Sequence, residues 1–203
     1  LKSRIRHLRL LSRTLTLLLS IATFVPLALT LHTYLTTRNT YHFVFDPNNH
    51  NTATSRTAWH RDSVVWPTWM YAAVSGLAIL LNLGILVAYR WGVQSANRVA
   101  AWVLGGNMVS WGVAVGVYRG MKKEADLWGW SCSEGARAIQ EVFRREVNFG
   151  RTCNIQSLSW YVGLGQVASI ILMIIIYVLV FMRKGTKRKA QRSVGLGFEE
   201  TRL

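Results

Sequence analysis

The chain has 203 residues, with 24 Lys and Arg against nine Asp and Glu, and a formal net charge of +15 at pH 7. Only 16% of its residues are charged, where a soluble domain carries about a quarter, and 51% are hydrophobic. The apolar residues are gathered into four long blocks with the basic residues mostly beside them, which excludes an ordinary soluble domain and predicts an all-α membrane protein.

Residues 1–13 form a basic cytoplasmic segment carrying Lys2, Arg4, Arg6, Arg9 and Arg13 and no acid. The first apolar block, 14–34, is about 20 residues long, which matches the hydrocarbon thickness at helical rise. It contains Pro26, which a membrane helix tolerates by kinking. A signal peptide is the competing reading, but the run is too long and no small-x-small cleavage site follows it. The first outer loop, 35–68, begins with the strand-like Tyr41-His-Phe-Val-Phe45, turns at Asp46-Pro-Asn-Asn49 and offers a second extended stretch near Thr57 to His60, so a small hairpin is expected. His42, His50 and His60 fit no zinc spacing and are read as surface polar groups.

Three further blocks, 69–89, 99–118 and 157–181, lack Asp, Glu, Lys and Arg. They complete a four-transmembrane-helix domain over 14–182, with a second outer loop at 119–156 and a basic tail at 183–203. The termini and the 2-3 connection hold 14 of the 24 Lys and Arg, while the two outer loops hold ten together with seven of the nine acids. Cytoplasmic loops carry the excess of Lys and Arg, so both termini are expected in the cytoplasm.

Small residues recur at spacings that favour close helix approach: Ala72 and Gly76 in helix 2, Gly105, Gly112, Gly116 and Gly120 along helix 3, and Gly165 in helix 4. They are expected to seat the four helices against one another, with a homodimer seam as the alternative. Polar side chains at membrane depth are few, chiefly Asn82, Asn107 and Gln166, and are read as interhelical hydrogen-bond partners. Aromatic residues cluster at helix ends, with Trp59, Trp66, Trp69 and Tyr71 at the outer end of helix 2, and suit headgroup belts.

The second outer loop holds both cysteines, Cys132 and Cys153. Both fall on the oxidising side, where a disulfide between them would close about 22 residues and stabilise the loop by roughly 3 kcal/mol; free thiols are the alternative. Ser131-x-x-Glu134 has the form of a helix start, Ile139, Val142, Phe143 and Val147 fall on one face, and Gly150 is a stop signal. Trp128, Trp130, Ile139 and Phe143 are the expected recognition side chains of this loop. In the tail, Arg183, Lys184, Lys187, Arg188, Lys189 and Arg192 follow the last span directly and are expected to contact anionic lipid at about 1 kcal/mol each.

The architecture resembles the MARVEL-type four-helix membrane proteins, especially the small fungal ones. The match lies in the cytoplasmic termini, the short 2-3 connection, the cysteine pair in the second outer loop, Cys153 followed by Gln156 at the start of helix 4, and the basic tail. Leu127-Trp-Gly-Trp-Ser-Cys132 is similar, second, to the tryptophan and cysteine signature of claudin-like proteins. The resemblance implies a non-enzymatic membrane organiser or an accessory subunit of a larger plasma-membrane complex. Its partners would be membrane lipids, other membrane subunits or further copies of itself, with no cofactor, metal or nucleic acid. A small oligomeric channel or carrier is the alternative. An enzyme is not expected, because no nucleophile-base pair, metal cluster or phosphate-binding glycine loop is present.

Overall fold

The computed structural model describes the backbone of residues 2–46, 49–91, 96–123 and 125–199, and the side chains of 10–44, 54–91, 102–123, 125–179 and 182. In chain order the elements are α1 (Lys2–Thr37), β1 (Tyr41–Asp46), β2 (Asn49–Thr57), α2 (Trp66–Arg90), α3 (Ala96–Gly120), α4 (Leu127–Ser131), α5 (Glu134–Ala138) and α6 (Phe149–Glu199). The four long helices form a ring in which α1 packs on α2 and α6, and α3 packs on the same two.

Among the described residues three segments are long and apolar enough to cross a membrane: Leu10–Thr37 in α1, Trp66–Arg90, and Phe149–Leu179 in α6. α3 equals α2 in length at 25 residues, but Gly105, Gly106 and Asn107 make its middle more polar. The bundle exposes large apolar side chains on its outside and buries polar ones among its apolar core residues. Leu15, Leu18, Leu29, Leu80 and Leu172 are exposed, whereas Thr16, Ser20, Thr23, Ser75, Asn82 and Gln166 are buried. Water would penalise that arrangement, while lipid removes the drive to hide leucine and leaves polar groups seeking partners inside. The chain is accordingly an integral membrane protein.

The inward hydroxyls of α1 return to their own helix. Ser20 donates to the Thr16 carbonyl at 2.8 Å, Thr23 to Leu19 at 3.0 Å and Thr30 to Pro26 at 3.0 Å, so α1 runs unbroken through Pro26 with its hydroxyls satisfied. Between helices, Thr16 Oγ1 donates to Asn82 Oδ1 at 3.3 Å and Gln166 Nε2 to Ser20 Oγ at 3.4 Å.

Several boundaries differ from those expected. α1 does not begin at 14 but runs back to Lys2, which carries Arg13 onto the buried face; it is 2% exposed, with Nη1 donating to Asn82 Oδ1 at 3.3 Å. The membrane helices therefore do contain a buried cation, at the N-terminal end of the seam. The hairpin is present, yet its second strand ends at Thr57 rather than starting there, because Tyr41 pairs with Thr57 and an irregularity at Phe45/Asp46 takes up the turn. α6 starts eight residues before 157, so Gly150 lies in its first turn and ends nothing.

Glycine placement corrects the packing expectation most. A Cβ on Gly76 would lie 3.2 Å from the Phe24 ring, and Ala72 is buried in the core, so this pair does seat α1 against α2. By contrast a Cβ on Gly105, Gly112, Gly116, Gly120 or Gly165 would meet nothing within 4 Å. Those glycines do not seat the bundle: on α3 the inner face is taken by Leu104, Asn107, Trp111, Ala114, Val115 and Tyr118, which turns its glycines outward, and on α6 the buried Gly163 and Gln166 face inward and leave Gly165 exposed. The close approach the spacing rule missed is Gly163, where a Cβ would run into Tyr71 Oη as that side chain reaches across the core.

Candidate functional site

The second outer loop folds into a cap over one end of the bundle. Asp126 is its first fixed point. Its carboxylate caps α4 by accepting from Trp128 N at 3.1 Å, and its backbone bridges in parallel to Val64 of the first outer loop. Burial pushes the Asp126 carboxyl up to about 6, against the opposing pull of backbone N–H groups and Lys122. α4 then crosses so close to the chain at Lys123 that a side chain on Gly129 would strike the Lys123 carbonyl. That is why a glycine separates the two tryptophans.

The tryptophans point into different cores. Trp128 stacks on Tyr118 at 5.0 Å between ring centroids, Tyr118 stacks on Tyr71 at 4.5 Å, and Trp128 Nε1 donates to Ser157 Oγ at 3.1 Å. Trp130 joins Trp59, Ile139, Phe143, Val147 and Phe149 in a separate cap core and donates to the Ala58 carbonyl at 3.0 Å. Trp128, Trp130, Ile139 and Phe143 are all buried, so they are not an exposed recognition surface; the apolar face expected of this loop is the face that holds the cap together. Tyr71 and Trp59 are likewise core residues, while Trp66 and Trp69 remain half-exposed as a belt requires.

Past α4 the regular helix is short. Ser133, not Ser131, caps α5 by accepting from Ala136 N at 3.2 Å, because Ser131 Oγ is already turned back to Leu127 O at 2.9 Å. α5 stops at Ala138 and turns carry the chain to α6. Gln140 closes that stretch, its Nε2 donating to Val147 O at 2.9 Å while its Oε1 accepts from Phe149 N at 2.8 Å. The Cys132–Cys153 disulfide, with Cα atoms 5.0 Å apart, ties the cap to α6. His42 Nε2 lies 3.1 Å from Glu146 Oε1, and its ring meets Phe143 edge-on, which brings the hairpin against the cap.

Between the end of α3 and the cap lies an open cleft of about 910 Å³, lined by His60, Arg119, Lys122, Lys123, Ser133 and Glu134 among others. The Arg119 guanidinium sits 5.6 Å from the Trp128 ring and 5.4 Å from that of Trp160, and Lys122 Nζ lies 4.3 Å from Trp128. Partial burial, and after it Arg119, holds the Lys122 ammonium below the usual lysine range, against the pull of Asp126. What this lining offers is fixed positive charge beside an apolar wall. None of its cations stood among the expected site residues; the only trace in the sequence is Arg119, Lys122 and Lys123 within five positions at the end of an apolar block. The tail residues Arg183, Lys184, Lys187, Arg188, Lys189 and Arg192 continue the backbone of α6, and their side chains lie outside those described.

No curated protein and no solved structure matches the chain. A family model described as a domain of unknown function (DUF8762) matches residues 1–198, and the chain belongs to that family.

Proposed function

We propose that the protein is a non-enzymatic, four-span membrane organiser or accessory subunit of a larger plasma-membrane complex, with α3 as its fourth span and both termini cytoplasmic. The observation that carries this reading is the outer face of α3. Gly105, Gly112, Gly116 and Gly120 lie there beside Trp102, Val109 and Val113, which are 84%, 66% and 56% exposed. Glycine in a membrane helix costs packing unless a backbone comes close to it, and none among the described residues comes within 4 Å of where a Cβ on these glycines would stand. Another membrane helix seated on that face accounts for the small residues there. The length of α3 and its place between two spanning helices support the fourth crossing, and the MARVEL-type resemblance points the same way. The basic tail adds contact with anionic lipid at the inner leaflet.

The test is Gly112→Leu with Gly116→Leu in the full chain. Leucine at these positions enters open space in the single chain, so the melting temperature should stay within about 2 °C. Proteins that co-purify with the wild type in mild detergent should be lost. Unchanged co-purification, or a monodisperse wild type with no partner, would count against the reading.

The second reading, a small oligomeric channel or carrier, draws on the polar seam of Arg13, Thr16, Ser20, Asn82 and Gln166. It requires solute flux in liposomes that Gln166→Leu or Asn107→Leu alters.

A further inference from the structure

Two of the cleft's cations, Arg119 and Lys122, lie against aromatic rings. Among the described residues the ion pairs are His42 with Glu146 and Arg144 with Glu141, and neither reaches the cleft. Arg119 lies over two neighbouring indoles, and the one it shares with Lys122, Trp128, is itself locked by its stack on Tyr118 and its bond to Ser157. A ring face attracts a cation without cancelling its charge, so the groups are positioned while their field stays available. Holding them in place beforehand removes most of the side-chain ordering cost that a ligand otherwise bears.

We infer that this cleft is a binding site for a phosphate group, with Arg119, Lys122 and Lys123 as its ligands. Among the described lining residues three cations stand with one acid, Glu134, and Asp126 acts on Lys122 from behind the wall, an excess of positive charge that suits a dianion better than a single carboxylate. Arg119 supplies the planar fork for two oxygens, and the lysines act as point charges. The volume is within the range of small-molecule sites, so a headgroup or a diphosphate fits. The opening lies at the end of α3, and Trp130 and the Cys132 half of the disulfide form its apolar flank.

The phosphate can belong to a lipid or to a soluble ligand, and two probes separate them. The full chain would carry Gln at Arg183, Lys184, Lys187, Arg188, Lys189 and Arg192, so that the tail contributes no lipid binding. Inorganic pyrophosphate is titrated calorimetrically in neutral detergent. Phosphatidic acid is offered in phosphatidylcholine nanodiscs, and the lipid retained is counted by native mass spectrometry. Binding of pyrophosphate indicates a soluble ligand, and retention of phosphatidic acid alone indicates a headgroup. In either case Arg119→Gln with Lys122→Gln should weaken binding about tenfold or more. If the double variant loses its melting transition, Lys122→Gln and Arg119→Lys taken singly supply the comparison, each being expected to weaken binding severalfold. Absence of binding by both probes, or equal binding by wild type and variants, overturns the proposal.

Discussion

At the scale of single residues, two positions are held by what stands against them. Gly163 faces Tyr71 Oη, and the same hydroxyl donates to the Ser159 carbonyl at 3.2 Å. Gly163→Ala should displace Tyr71, break that bond and cost about 1–3 kcal/mol, read as a lower melting temperature in detergent, whereas Gly165→Ala should be nearly neutral. Asp126 makes a pH prediction. Its carboxyl titrates near 6 in the folded chain, above the usual 3.8, so the folded state takes up a proton that the unfolded state does not. Stability therefore rises as pH falls from about 7 through 6 toward 4, and is lowest, for this group, when the buried carboxylate is ionised. Asp126→Asn keeps a capping side chain and removes the charge, so it should raise the melting temperature at pH 7 and flatten its change between pH 7 and pH 5. Lys122 faces the same group, and its attraction opposes the effect of burial. A wild type whose melting temperature falls from pH 7 to pH 5 no less than that of the variant would contradict this. Asp126 was invisible as a site residue in the sequence, since an acid in the charged run Lys122-Lys-Glu-Ala-Asp126 reads as loop polarity until burial is known.

At the scale of elements, the cap depends on its covalent tie. Replacing Cys132 and Cys153 by Ser should cost about 2–4 kcal/mol, in the entropic account mainly by freeing the unfolded chain. The loss should appear first as faster exchange of amide hydrogens in 127–148, with the spans of α1 and α2 little changed. Uniform loosening of all helices would show that the bond carries more than the cap. The elements themselves were partly legible. Of the four residues expected on one face, Ile139, Phe143 and Val147 share the cap core while Val142 is exposed, and the helix expected through them stops at Ala138, because Gln140 bonds Val147 and Phe149 and draws the backbone into turns. Such a bond between side chain and distant backbone leaves no periodic mark. The strand pairing was legible from Tyr41 to Phe45 alone, and its register was not.

At the scale of the whole molecule, the charge distribution leads to a test of sidedness. A cysteine placed at Glu141, an exposed cap position, should react with an impermeant maleimide on intact cells, and one at Lys187 only after permeabilisation. The reverse pattern would invert the topology. Membrane residence followed from the sequence by itself, because length and hydrophobicity must match a bilayer within each segment, and no neighbour is needed to evaluate either. The hairpin and the pairing of the cysteines as the favoured alternative were readable for the same local reason. What only the tertiary structure decided is the rotation of each helix about its axis. A glycine stripe spaced by four on α3 is equally consistent with an inward or an outward face, and Trp111, Tyr118 and Leu104 settle it by filling the core. The same rotation puts Arg13 inside with Asn82, turns the cap's tryptophans into packing rather than recognition, and gathers Arg119, Lys122 and Lys123 around one cleft. Periodicity specifies which residues share a face, and only the helices packed around it determine what that face meets.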